Sequence, residues 1–269
     1  MTSALPAITS LTNQRVKAAV RLRDRQEREA TGLTLIDGAR ELRRALSAGA
    51  SVQTAFVAPS KVRSHEARLA LEDVERQITD VVEVSEAVFA KLAFGDRSDG
   101  FVAIVRTGST NLESLRLMPG EPLVVVVEGI EKPGNLGAIL RTADGAGASG
   151  VIAADPLTDL FNPNAVRASL GTIFSMPIAA GSTAATLDWL TTRGIMPIAA
   201  RVDAATPYSE VDMRGPVALV LGSEATGLSG GWDDPRVTSV GIPMLGTVDS
   251  LNVSVAAAVM LYEAVRQRM

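Results

Sequence analysis

The feature that most constrains this chain is Leu123-Val124-Val125-Val126-Val127-Glu128, five consecutive apolar residues, four of them β-branched, with no apolar/polar alternation. A strand of that kind is satisfied only when both its faces are buried, as in a parallel sheet covered by helices on each side. Similar runs recur at residues 151–154, 196–202, 217–221 and 240–242. Helical patterns separate most of them, at about 136–146, 182–193 (Ser182 as N-cap, Gly194 as C-cap) and 250–268. The second half of the chain is therefore expected to be a layered α/β sheet.

The first half carries a smaller version of the same alternation. Residues 33–38 read as a strand and turn, 39–48 as an amphipathic helix closed by Gly49, and 52–57, 81–84 and 100–105 as further strands. The polar, turn-rich stretch between Thr107 and Pro122 places a linker. The expected organisation is a domain over 1–107, a linker over 108–121 and a second domain over 122–269.

Counting residues removes much chemistry. The 269 residues include no Cys, which excludes disulfides, zinc–thiolate sites and cysteine nucleophiles. A single His, His65, argues against a Ser-His-Asp triad or a multi-histidine metal centre, and no metal is expected. No run reaches the roughly 18–20 apolar residues of a membrane span, and Met1-Thr2-Ser3-Ala4-Leu5-Pro6 lacks the basic start of a signal peptide, so a cytoplasmic protein without a membrane partner is expected. Trp189 and Trp232 read as packing residues.

The net charge of -4 conceals an asymmetry: 17 Lys/Arg face 15 Asp/Glu in residues 1–120, but 9 face 15 in residues 121–269. The densest cationic run, over 13–28, places Arg15, Lys17, Arg21, Arg23 and Arg25 on a helix with a partial apolar stripe at Val16, Val20 and Leu22. It reads either as a phosphate-binding face or as a solvated face laced by pairs such as Arg25 with Glu29.

Gly145-Ala146-Gly147-Ala148-Ser149-Gly150 matches the dinucleotide fingerprint, which would suggest an oxidoreductase. Its context is reversed, with a helical pattern before it and a strand after it, so these glycines read as a helix stop and turn. Three other segments put small and polar residues at the ends of apolar strands: Glu128 to Arg141, Leu221 to Ser229, and Ile242-Pro243-Met244 leading to Ser250-Leu251-Asn252-Val253-Ser254. In open α/β sheets such ends form the ligand crevice, so the three loops point to one site.

Asn135-x-Gly137-x-x-x-Arg141, Gly222-Ser223-Glu224 with Gly227-Leu228-Ser229, and the 242–254 segment resemble the three ordered motifs of the SpoU/TrmH family of SPOUT-class RNA ribose methyltransferases. Asn162-Pro163-Asn164-Ala165-Val166-Arg167-Ala168-Ser169 resembles the segment between its first and second motifs, and residues 10–106 are similar to its L30e-like RNA substrate-binding domain. The resemblance implies a C-terminal α/β domain with a deep trefoil knot, a homodimer, S-adenosylmethionine as cofactor, and methyl transfer to a ribose 2'-OH. That reaction needs no covalent enzyme intermediate, in agreement with the residue counts.

By the same resemblance, Arg141 is the catalytic arginine. A guanidinium with a pKa above about 12 is a poor base, so holding a phosphate and stabilising oxyanion charge is the favoured role. Asn135, Glu224, Ser250 and Asn252 join it, although Asn135, Ser250 and Asn252 also read as helix caps and Glu224 as a surface acid. Leu221, Gly222, Ile242, Met244 and Leu251 match the cofactor-holding positions. Arg167 resembles an RNA- or site-directed arginine and equally fits a structural ion pair. The apolar residues of the last helix, Val255, Val259, Leu261 and Val265, suit either a dimer interface or the core. Ribosomal RNA is the preferred substrate; transfer RNA, or a non-catalytic RNA-binding protein that kept the fold, are the alternatives.

Overall fold

The computed structural model describes residues 7–95 and 99–269, so the N-terminal hexapeptide weighed above lies outside the described residues. The chain forms two compact units. One comprises residues up to Gly108 together with Phe161–Ser175; the other comprises Ser109–Leu160 and Met176–Met269.

The first unit contains α1 (Gln14–Arg21), α2 (Arg25–Thr31), β1 (Leu33–Asp37), α3 (Ala39–Ser47), β2 (Val52–Val57), α4 (His65–Gln77), β3 (Val81–Glu83), α5 (Glu86–Leu92) and β4 (Phe101–Arg106). Its sheet runs β1-β4-β2-β3, antiparallel at β1/β4 and β4/β2 and parallel at β2/β3. Leu35, Phe56, Val82 and Val102 of the strands pack with Val16, Ala19 and Leu22, and with Val88, Phe89 and Leu92 of α5. The cationic run is two helices rather than one. The chain turns at Leu22–Asp24, and Asp24 accepts a hydrogen bond from the Gln26 amide (2.8 Å) to cap the second.

The second unit contains β5 (Leu123–Glu128), α6 (Pro133–Gly145), β6 (Gly150–Ala154), β7 (Ile178–Gly181), α8 (Thr183–Thr192), β8 (Met196–Ala200), β9 (Val217–Leu221), β10 (Thr238–Val240) and α9 (Val253–Arg268). All six strands are parallel, in the order β10-β8-β9-β5-β6-β7. Every residue of β5, β6 and β9 is buried, as the uninterrupted apolar runs demand. Val124, Val126 and Ile152 pack with Leu187, Leu190 and Trp232 on the α8 face. On α6 the buried residues include Leu136, Ile139 and Leu140; α9 packs against that helix and against β9, and its buried residues include Met260 and Leu261. Both tryptophans are core residues.

Ser182 caps α8, its hydroxyl accepting from the Ala185 amide (3.2 Å), and Gly194 ends it one residue beyond the C-cap Arg193. The Gly145–Gly150 glycines do stop a helix and turn the chain into β6. Four expectations shift. β7 was not anticipated; its four residues, Ile-Ala-Ala-Gly, are too short and small to register as a strand before they pair with β6. α9 starts at Val253, capped by Asn252 alone, so Ser250 is no cap. The stretch expected as a linker packs into the second unit: Leu112 and Leu115 are buried in its core, and Asn111 bridges to Ala180. Finally, Phe161–Ser175, with its short helix α7 (Pro163–Ala168), packs in the first unit although its sequence neighbours belong to the second.

Candidate functional site

The C-terminal ends of β5, β8 and β9 and the segment before α9 surround two adjoining cavities in the second unit. The larger, about 330 Å³, is lined by Leu221, Gly222, Ile242, Met244 and Leu251, which are all five residues expected to hold the cofactor, and also by Ser250 and Glu224. It extends to residues 200–202 at the end of β8, which the motifs did not flag. The reason for glycine at 222 is steric. Residues 223–227 form a tight turn closed by paired backbone bonds between Ser223 and Gly227 (3.0 and 3.1 Å), and a Cβ at 222 would lie 2.2 Å from the Gly227 carbonyl carbon. The apolar lining and main-chain groups of this cavity suit an adenosyl moiety, and its volume lies in the range of small-molecule sites.

The second cavity, about 160 Å³, shares Ser223, Glu224 and Val253 with the first and is bounded by Gly129, Lys132 and Asn135. Glu224 stands between the two. Its Oε1 accepts from Asn135 Nδ2 (3.0 Å) and from Asn252 Nδ2, and its Oε2 pairs with the Lys132 ammonium. The Lys132 hydrogen bond, reinforced by the two amides, holds the Glu224 carboxyl below the usual carboxylate range. The same pairing raises the Lys132 ammonium. Asn252 Oδ1 is consumed by its capping role, accepting from Ser254 N (3.0 Å) and Ser254 Oγ (2.6 Å). Lys132 was missed in the sequence because it precedes the motif triplet; its place as N-cap of a helix that opens with Pro133 was the available signal.

Below this cluster lies a second carboxylate, Glu128, buried at the end of β5. It accepts from Ser229 N (2.7 Å), Ser229 Oγ (2.7 Å) and Thr183 Oγ1 (2.5 Å). It ties the far end of the 222–229 loop to β5 and to the first residue of α8.

Arg141 lies six residues beyond Asn135 on α6, about 9 Å along the axis and about a third of a turn around it. It is exposed, and among the described residues it has no hydrogen-bond or ion-pair partner. Arg167 lies in the first unit, its Nη1 3.3 Å from the buried Asp37 Oδ2, as in the ion-pair alternative. The cationic helices are also largely engaged within the fold. Arg15 pairs with Asp80, Arg21 approaches Glu27 (3.4 Å) and Arg25 pairs with Glu29 (2.7 Å). Arg23 donates to the carbonyls of Lys91, Leu92 and Ala93 at the end of α5 (2.8, 3.0 and 3.0 Å). Among the described residues only Lys17 of the five has no such partner.

Residues 122–262 match the SpoU rRNA methylase family, and residues 13–103 match an MRM3-like substrate-binding domain. The chain is 37% identical over 209 residues to the 23S rRNA (guanosine-2'-O-)-methyltransferase RlmB of Ralstonia nicotianae, covering 72% of this chain and 84% of the relative. It is 30% identical over 257 residues to the 23S rRNA (uridine(2479)-2'-O)-methyltransferase of Streptomyces viridochromogenes, covering 92% and 88%. An AdoMet-bound rRNA methyltransferase from Sinorhizobium meliloti superposes with a TM-score of 0.86 at 30% identity over 98% of both chains.

Proposed function

The chain belongs to the SpoU rRNA methylase family and is an S-adenosylmethionine-dependent RNA 2'-O-ribose methyltransferase; from that premise we propose that its substrate is 23S ribosomal RNA, that the larger cavity holds the cofactor, and that the smaller one receives the acceptor ribose. The observation that carries the site reading is the convergence of Leu221, Gly222, Ile242, Met244 and Leu251 on one cavity that meets the Asn135–Glu224–Asn252 cluster at Glu224.

The bound cofactor supplies an electrophilic sulfonium methyl. The chain's task is to present the 2'-oxygen in line with it and to hold the charge that develops there. Glu224 remains ionised and acts as the acceptor that fixes the two asparagine amides. Arg141, uncommitted within the fold, holds the phosphate beside the acceptor nucleotide and offsets the developing oxyanion. Lys17 and the exposed Arg21 meet RNA phosphates on the first unit, whose match to a substrate-binding domain supports that assignment.

A homodimer is supported by apolar side chains left exposed beside the site. Val255 and Tyr262 lie on the outer face of α9, while Leu245 and Val248 belong to the preceding loop. The 241–252 segment, which reaches the cavity between the ends of β8 and β9, is the part assigned to the knot. Among the described residues no helix is long and apolar enough to cross a membrane, and action on ribosomal RNA in the cytoplasm accords with the 23S rRNA relatives.

The test is transfer of labelled methyl from S-adenosylmethionine to separate unmodified ribosomal and transfer RNA fractions. Incorporation into the 23S fraction, reduced at least about 100-fold by Arg141→Ala, is the expected result. Incorporation only into transfer RNA would overturn the substrate assignment. Light scattering of the intact protein and of a Val255→Glu/Tyr262→Glu variant tests the dimer, which the double substitution is expected to dissociate.

A further inference from the structure

We infer that Lys132 is a positioning residue of the methyl-transfer site: its ammonium holds the Glu224 carboxylate in the orientation that aligns the amides of Asn135 and Asn252, leaving the Asn135 carbonyl oxygen to accept the acceptor 2'-hydroxyl. This rests on the assignment of the smaller cavity to the acceptor ribose.

The inference follows from a donor and acceptor count. Glu224 presents two oxygens. Oε1 takes both asparagine amides, and Oε2 is left for Lys132. Each asparagine, by giving its amide group to Glu224, must turn its carbonyl oxygen away from it. The Asn252 oxygen is filled by Ser254 N and Oγ. The Asn135 oxygen has only a 3.4 Å approach from Asn252 Nδ2, so it is the acceptor with capacity to spare, and Asn135 lines the smaller cavity.

Lys132 suits this role because its backbone is fixed even though its side chain is 68% exposed. Its carbonyl accepts from the Asn135 and Leu136 amides (3.0 and 3.2 Å), and Pro133 sets the first helical position. An exposed ion pair usually contributes little to stability, so the effect belongs in the reaction rather than in folding. Among the described residues Lys132 is the charged group that faces Glu224. Asn135 from α6 and Asn252 from the N-cap of α9 are neutral, and Glu131 acts on Lys132 rather than on Glu224. Without Lys132 the carboxyl would protonate at a higher pH, and a protonated Oε atom would compete with an asparagine amide and release it from its alignment.

The experiment compares Lys132→Met and Lys132→Arg with the intact enzyme, reading kcat, KM for S-adenosylmethionine, the acidic limb of the kcat profile, and melting temperature. For Lys132→Met the expectation is an unchanged melt and KM within about twofold, kcat reduced roughly tenfold, and an acidic limb moved upward by about one pH unit. Lys132→Arg should restore the limb and most of kcat. Retention of kcat and of the limb in Lys132→Met would overturn the inference, as would a loss confined to KM. A second reading does not require turnover: the Glu224 carboxyl is titrated by NMR in glutamate-labelled protein and assigned with Glu224→Gln. If the intact protein methylates no RNA, the acceptor-site assignment falls. The titration then still decides whether Lys132 governs Glu224, since an unchanged midpoint in Lys132→Met overturns that role.

Discussion

Both units end a buried strand in an acidic residue followed by glycine, Asp37-Gly38 after β1 and Glu128-Gly129 after β5, yet the two carboxylates are held in opposite ways. Glu128 is satisfied by three neutral donors, two from Ser229 and one from Thr183. Asp37 Oδ2 accepts from the Phe94 and Gly95 amides (3.0 and 2.9 Å) and from Arg167, while its buried Oδ1 has no partner among the described residues. Burial accordingly pushes the Asp37 carboxyl up, with the two amides and Arg167 only partly opposing it. The difference shows what each acid does. Glu128 organises a loop that lines the larger cavity, and Asp37 anchors a segment brought in from far along the chain.

That segment has other ties to the first unit. Thr34 Oγ1 donates to the Phe161 carbonyl (2.6 Å) and Arg44 Nη1 to the Leu170 carbonyl (3.0 Å). Gly171, at φ +84°, lies so close to α3 that a Cβ there would be 2.9 Å from the Glu41 carbonyl oxygen. Arg167 supplies the one ion pair among these contacts.

The sharpest way to break the comparison is Arg167→Ala. It leaves the Asp37 carboxylate buried without a cation, and denaturant unfolding should show a loss of about 3 kcal/mol. The loss should shrink as the pH falls. A carboxyl whose folded pKa is raised favours the fold below its unfolded value and loses that contribution as pH rises through the folded one. Equal losses at pH 5 and pH 8 would refute the charge argument. Glu128→Ala comes next: it strips three donors of their acceptor and should cost about 2 kcal/mol, with calorimetry also showing weaker S-adenosylmethionine binding. Tight binding in that variant would detach the loop from Glu128.

Asp37→Asn should change stability by less than about 1 kcal/mol, because losing the Arg167 pair is offset by no longer burying a charge. If it matches Arg167→Ala, the pair and not the lone carboxylate is what matters. The smallest effect is expected for Lys17→Ala, with no resolvable change in unfolding and a modest loss of RNA affinity that disappears at high salt.

Much of the site was legible in the sequence because its loops lie at the ends of strands whose apolar runs are unmistakable. The five residues that the motifs mark as cofactor-holding do line one cavity, and Glu224, Asn135 and Asn252 do hydrogen-bond together. Arg141 is exposed and makes no hydrogen bond to them among the described residues. The basic run was read correctly as charge and only partly as availability. Whether Arg23 meets a phosphate or the last carbonyls of α5 depends on a helix some seventy residues away, which no local pattern records.

Local chemistry therefore determined the strand runs of the second unit, the helix stops at glycine, and the caps at Ser182 and Asn252, because each depends on neighbours within a few residues. Tertiary structure alone decided that 161–175 packs in the first unit, that Arg167 meets Asp37, that Glu128 holds Ser229, and that Lys132 meets Glu224. These pairings join residues dozens to more than a hundred positions apart. Their partners are chosen by which strand ends the parallel sheet and its crossovers bring together, and that is a property of the whole fold.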